Sequence, residues 1–214
     1  DYERGIIIGS TTTGKGTAQV QLDSLAHGQA TLTQRKFYRV TGGSTQNKGV
    51  IPDIRLVDIY NEEFGERKAK NALKWDTIPT APFKREGSVQ PYLAKLNQTS
   101  EQRVATDPQF KYLETRKTLA KKTADEKKVV LDIDQRRAEL VDLEKQTLDA
   151  ENQRRAATGQ PPYANWESYQ ASIDALVESR AKMKAHLRPP LPEEEAFITE
   201  AANVLLDYAA LQGR

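Results

Sequence analysis

The apolar residues of this chain change their spacing once along its length, and that change decides what it can fold into. Over residues 1–60 they come in short runs. Ile6-Ile7-Ile8 is continuous and ends at Gly9, and Ala18, Val20 and Leu22 alternate with Thr17, Gln19 and Gln21. Arg35-Lys36-Phe37-Tyr38-Arg39-Val40 is rich in strand-forming residues and stops at Gly42-Gly43. An alternating run predicts a strand with one covered face, and a continuous run predicts one covered on both. Pro52 lacks the amide that a central strand needs, so the run over residues 50–59 is expected at a sheet edge or strand start. From Gln109 onward the spacing is helical. Val130, Ile133, Arg137, Leu140, Glu144 and Leu148 define one helix, ended by Gly159-Gln160-Pro161-Pro162. Trp166, Tyr169, Ile173, Leu176, Val177, Arg180 and Leu187 define a second, broken at Arg188-Pro189-Pro190, and Phe197, Ala201, Val204, Leu205 and Tyr208 a third.

Between these regions, residues 61–108 read as an irregular connecting segment punctuated by Pro79, Pro82, Gly87 and Pro91, with Trp75, Ile78 and Phe83 packing it onto something. The expected fold class is therefore α+β, a small β-rich portion over 1–60 followed by a helical domain over 109–214. The helical stripes read first as helix–helix core.

Composition removes several classes of function. Lys and Arg number 32 against 30 Asp and Glu, interleaved, so the net charge of +2 gives no electrostatic case for nucleic acid. Mean hydropathy is −0.71, and no apolar run approaches the roughly 20 residues of a membrane span. There is no cysteine, so thiol chemistry is excluded; His27 and His186 are far apart and read as surface residues, and no metal or cofactor is expected. Lys121-Lys122 to Lys127-Lys128, with Asp125 and Glu126 between, reads as a solvated helix face, and Glu193-Glu194-Glu195 after Pro192 as the first turn of a helix. The chain opens at Asp1 with no initiator Met, which reads as part of a longer protein, so the absence of a leader carries no information.

Two motifs compete for Gly9-Ser10-Thr11-Thr12-Thr13-Gly14-Lys15-Gly16. It fits a phosphate-binding loop up to the lysine, but the next position must be Ser or Thr to hold Mg²⁺ and must open a helix. Gly16 has no hydroxyl and opens an alternating, strand-like stretch, so the nucleotide reading fails on both counts.

The segment Thr13-Gly14-Lys15-Gly16-Thr17-Ala18-Gln19 instead resembles the T-x-G-K-G-x-x-Q stretch of the carboxy-terminal processing proteases, the S41-type serine peptidases. Lys36-Phe37-Tyr38-Arg39-Val40-Thr41-Gly42-Gly43-Ser44-Thr45-Gln46-Asn47-Lys48-Gly49-Val50-Ile51-Pro52-Asp53-Ile54 and Asn71-Ala72-Leu73-Lys74-Trp75-Asp76-Thr77-Ile78 are similar to blocks of the tail-specific branch. The charged helices resemble that branch's C-terminal extension.

This resemblance implies a Ser–Lys dyad with Lys15 as general base and the nucleophilic serine upstream of Asp1; Ser10 is in the wrong motif position. It implies Gln19 as an orienting residue and Asp1 as a positioning residue. It also implies polypeptide substrates selected by apolar C-terminal tails, and a periplasmic location. Chemistry adds a requirement: a lysine acts as a base only as the neutral amine, so its reference pKa of about 10.4 must fall, through burial and few nearby anions. On residues alone, Lys15 also reads as a solvated turn residue. Gln19 lies about 13 Å from position 15 in an extended strand, so it touches Lys15 only where the Gly14–Gly16 turn folds back; otherwise it acts through serine or substrate, or not at all. This chain by itself is expected to be inactive. The alternative expectation is a non-enzymatic helical module for an adaptor, a substrate protein or self-association.

Overall fold

The computed structural model describes residues 1–22, 27–59 and 65–213. The expected boundary between residues 60 and 61 lies outside the described residues. The architecture is α+β, as the sequence predicts, with a few small strands followed by helices. Asp1–Lys95 and Leu96–Arg214 form two compact units.

In the first unit, β1 (Ile8–Gly9) pairs in parallel with β4 (Ile54–Arg55), and β2 (Thr17–Leu22) pairs antiparallel with β3 (Ala30–Lys36). β2 has the bounds its alternation predicts, and β4 starts just after Pro52, where the missing amide costs no ladder bond. Two expectations need correction. The apolar run at residues 6–8 contributes only Ile8 to a strand, and Ile7 is 52% exposed. The exposure of Ile7 shows that this run is not covered on both faces, and among the described residues β1 has a strand neighbour on one edge only. The second strand begins at Ala30 rather than Arg35 because the hairpin register, from Thr17↔Lys36 to Leu22↔Ala30, recruits the polar residues Thr31 and Thr33. Beyond Lys36 the chain turns on itself: Tyr38 bridges to Ser44, and Gly42 adopts φ 84° where a Cβ would stand 2.1 Å from the Ile78 carbonyl oxygen. The small core of this unit holds Ile54, Leu56, Val57 and the side chain of Gln46.

The stretch read as irregular over 61–108 contains α1 (Gln90–Thr106), which crosses the boundary between the units. Pro91 is the second residue of this helix, where its missing N–H has no intrahelical partner to lose; the proline punctuates the start of the helix instead of preventing it. α2 (Pro108–Asp125), α3 (Ile133–Ala157), α4 (Trp166–Lys182) and α5 (Pro192–Leu211) follow. Short polar side chains start three of them. Asp107 accepts from the amides of Gln109 and Phe110, and Asp132 accepts from that of Gln135. Asn165 and Ser168 form a reciprocal capping box. Gly159, at φ 71°, ends α3, and the Gln160 amide donates to the Arg155 carbonyl in a Schellman closure.

α2 packs on α3 and α5, and α3 on α4. Leu96, Leu113 and Val204 are fully buried, and Phe110 stacks on Phe197 at 6.1 Å. The buried face of α3 is Ala150, Glu151 and Arg154, not the stripe read from Ile133 and Leu140, which are 63% and 45% exposed. Arg154 explains the difference. It binds Glu151 in a buried pair at 2.7 Å, donates to Gln109 and stacks on Tyr112, so an ionic residue occupies a core position. Burial raises the Tyr112 phenol well above its usual range. Leu187, assigned by spacing to the second helix, lies in a separate single turn (Ala185–Leu187) and is 64% exposed.

Candidate active site

The Thr13-Gly14-Lys15-Gly16 turn is gripped by the segment from Ser44 to Gly49. Gly14 has φ 81°, and a Cβ there would stand 2.9 Å from the Asn47 carbonyl carbon. At Gly16 a Cβ would stand 2.4 Å from the Gln46 amide nitrogen. Only glycine permits backbones to approach this closely. The two segments are then joined by hydrogen bonds. The Asn47 amide donates to the Gly14 carbonyl at 2.7 Å, and the Gly16 amide donates to Gln46 Oε1 at 2.8 Å. A similar fit follows at Gly49, where a Cβ would meet the Thr12 carbonyl oxygen at 2.3 Å and the Val50 amide donates to Thr12 Oγ1 at 2.8 Å. The glycines on either side of the lysine therefore serve close backbone packing, not a phosphate cradle.

Lys15 is exposed, so the burial expected of a lysine base is not supplied by the described residues and the solvated-turn expectation holds here; its Nζ donates to Gln19 Oε1 at 3.1 Å. The contact that an ideal extended strand forbids is made here. Positions 15 and 19 share a face, and their two long side chains cover the gap between them; the register shift between Ala18 and Gln19 puts its extra residue, Gln34, in the paired strand. The Gln19 amide is itself held, since its Nε2 donates to Thr33 Oγ1 on the paired strand at 3.3 Å. Thr33 carries no signal in the sequence, and the hairpin register places it beside Gln19. Among the described residues Lys15 forms no ion pair, so its partner is a neutral amide. Asp1 lies elsewhere: its carboxylate is 3.6 Å from Arg39 and accepts from Thr41 Oγ1 at 3.4 Å. The structure thus brings Lys15 and Gln19 together and ties Asp1 to the residue 39–41 turn. His27 and His186 are exposed.

The third sequence block packs against the second. Trp75 Nε1 donates to the Ser44 carbonyl at 2.8 Å, and Lys48 Nζ lies 3.3 Å from the Trp75 ring centroid. Asp76 pairs with Lys36 at 2.8 Å and accepts from the Tyr38 hydroxyl. Its hydrogen bond from Lys36 holds the Asp76 carboxyl below the usual range, while desolvation and Asp76 push the Tyr38 phenol up. Among the described residues no cluster of acidic and histidine side chains fits a metal ion, and no helix is long and apolar enough to cross a membrane.

The arrangement has counterparts among known proteins. Residues 59–210 match the family described as the C-terminal domain of tail specific protease, and residues 1–56 match peptidase family S41. The tail-specific protease of Haemophilus influenzae is 41% identical over 152 residues, a span that covers 65% of this chain and 22% of that protein. The chain therefore spans well under half of the relative it matches. The S41 match takes in the Lys15 turn and the hairpin, and the second match takes in the helices. This chain belongs to the tail-specific protease family.

Proposed function

We propose that this chain supplies the lysine half of a Ser–Lys dyad in a serine endopeptidase that acts on polypeptides with apolar C-terminal tails. The observation that carries the reading is the seat of Lys15, held at 3.1 Å by the neutral carbonyl of Gln19 on a turn that two glycines lock against residues 46 and 47. A carboxylate in that position would favour the ammonium form and oppose base chemistry; an amide orients the nitrogen without adding negative charge. Lys15 would take the proton from the serine hydroxyl as its oxygen bonds to the scissile carbonyl carbon. The resulting ammonium would return that proton to the leaving amine as the C–N bond breaks, and water would then release the acyl group. Gln19 is the orienting residue. Asp1, paired with Arg39 and accepting from Thr41, is the positioning residue of the residue 39–41 turn. The serine belongs to the part of the enzyme not contained in this chain, which on its own is inactive; the compartment expected by resemblance is the periplasm.

Peptide turnover by the full-length enzyme tests this. Lys15→Ala should abolish turnover while the protein stays folded, and the isolated chain should cleave nothing. Turnover retained by Lys15→Ala would remove Lys15 as the base, and cleavage by the pure isolated chain that is blocked by serine reagents would remove the divided dyad.

A second reading concerns the helical unit. α5 turns Ile198, Leu205 and Leu206 to solvent at 61%, 65% and 69% exposure, a stripe suited to pairing with a second copy. Light scattering on this chain decides it: a concentration-dependent dimer supports self-association, and a strict monomer excludes it.

A further inference from the structure

Lys15 is exposed and sits at the tip of a turn, so its placement depends on how the backbone on either side is fixed. Four hydrogen bonds hold that backbone. The Glu66 amide donates to the Thr13 carbonyl at 2.7 Å, the Asn47 amide to the Gly14 carbonyl at 2.7 Å, and the Phe37 amide to the Gly16 carbonyl at 2.8 Å. The fourth comes from a side chain: Gln46 Oε1 accepts the Gly16 amide at 2.8 Å.

Gln46 is 0% exposed, the one polar residue among the largest fully buried side chains. Its other end is also engaged, with Nε2 donating to Glu66 Oε1 at 3.0 Å. Its backbone amide donates to Ser44 Oγ at 3.0 Å, which fixes the peptide from which the side chain projects. Glu66 therefore grips the turn twice, by its own amide at Thr13 and through Gln46 at Gly16. The bonds close a ring that runs from Thr13 through Glu66 and Gln46 to Gly16, with Lys15 on the arc between. A buried amide with both ends satisfied is rigid, and leaving either end unmade costs the full desolvation of that group.

We infer that Gln46 and Glu66 are positioning residues for Lys15, a paired clamp that sets where its amine stands. The inference rests on the reading of Lys15 as the base. The partners are complementary in a way that can be inverted. Gln46 must accept from Gly16 and donate to Glu66; a glutamate at 46 still accepts from Gly16 and can accept from a glutamine at 66.

The test measures kcat and KM of the full-length enzyme with Gln46→Glu, Glu66→Gln, both together, and Lys15→Ala. Gln46→Glu sets two carboxylates at hydrogen-bonding distance in a part-buried site, and we expect kcat to fall by at least about 10-fold with KM within about 2-fold, as for a displaced catalytic group. Because a shared proton would rebuild the clamp, the ratio of mutant to wild-type kcat should rise as pH is lowered from about 8 to about 6. The double variant should recover to within about 3-fold of wild type, since its hydrogen bonds are the same set with donor and acceptor exchanged. A general packing defect would move neither the pH ratio nor the swap in this pattern. Gln46→Glu with unchanged kcat, or a folded double variant that recovers nothing, overturns the clamp. If Lys15→Ala is inactive while the Gln46 variants behave as wild type, the clamp alone is wrong; if Lys15→Ala keeps its turnover, the base reading itself has failed.

Discussion

Replacing Arg103 by methionine should be among the most damaging single changes in the helical unit. Arg103 on α1 donates from Nε to both oxygens of Glu200 on α5, at 3.2 and 3.0 Å, and from Nη2 at 2.8 Å. Its Nη1 reaches Asp207 at 2.7 Å. These bonds, those to Glu200 foremost, push the guanidinium further above its already high range. Glu200 is 3% exposed, so Arg103→Met leaves a buried carboxylate with its cation gone. Breaking a buried pair from one side costs about 3–5 kcal/mol. The Arg103 side chain keeps 29% exposure, so water can replace part of what is lost, which points to the lower end, about 3 kcal/mol. With a urea m-value of about 2 kcal/mol/M, the midpoint should move by about 1.5 M. Far-UV circular dichroism follows this unit because it holds most of the helix. Arg103→Met with Glu200→Leu should lie within about 1 kcal/mol of wild type, since the orphaned charge is removed and Asp207 remains partly solvated. A single variant that loses under about 1 kcal/mol, or a double variant as unstable as the single, would refute the claim that desolvation of Glu200 dominates.

Two further outcomes follow. Gly16→Ala forces a Cβ to within 2.4 Å of the Gln46 backbone nitrogen and should cost about 1–3 kcal/mol, read from the fluorescence of Trp75 in a Trp166→Phe background during urea unfolding; an unchanged midpoint would mean that the two segments part freely. Glu194 accepts the Leu191 amide at 2.7 Å, and this bond, aided by Arg180, holds its carboxyl below the usual range. A depressed carboxyl stabilises the fold above its unfolded-state value and loses that contribution as pH falls through the folded value. Glu194→Ala should therefore cost about 0.5–1 kcal/mol at neutral pH and nothing in acid, seen as urea midpoints that converge on acidification; a pH-independent difference would contradict it.

Much of this architecture is legible in the residues. β2 matches its alternation, and Gly159 ends its helix where a residue with positive φ is needed. What the sequence hides has physical causes. α1 is obscured by a proline that helices accept in their first turn, and the buried face of α3 by an arginine and a glutamate that enter the core as a pair. The Ile6–Ile8 run is apolar yet leaves Ile7 exposed, and periodicity does not say which faces are covered. At the candidate site, Lys15 and Gln19 stand out from their motif, and the reach of two long side chains brings them into contact. Gln46, Glu66 and Thr33 give no local signal, because each matters through a partner at least fourteen positions away.

In the proposed dyad Lys15 activates a serine held by the rest of the enzyme, and the rate at which a fluorophosphonate labels that serine in the full-length protein measures this directly. The reagent reports deprotonation of the hydroxyl without requiring substrate binding or product release. With Lys15 as the base, Lys15→Ala slows labelling by at least about 100-fold, within the 10²–10⁴-fold range of general-base assistance, and Gln19→Ala slows it by less. Labelling of Lys15→Ala at the wild-type rate would contradict it.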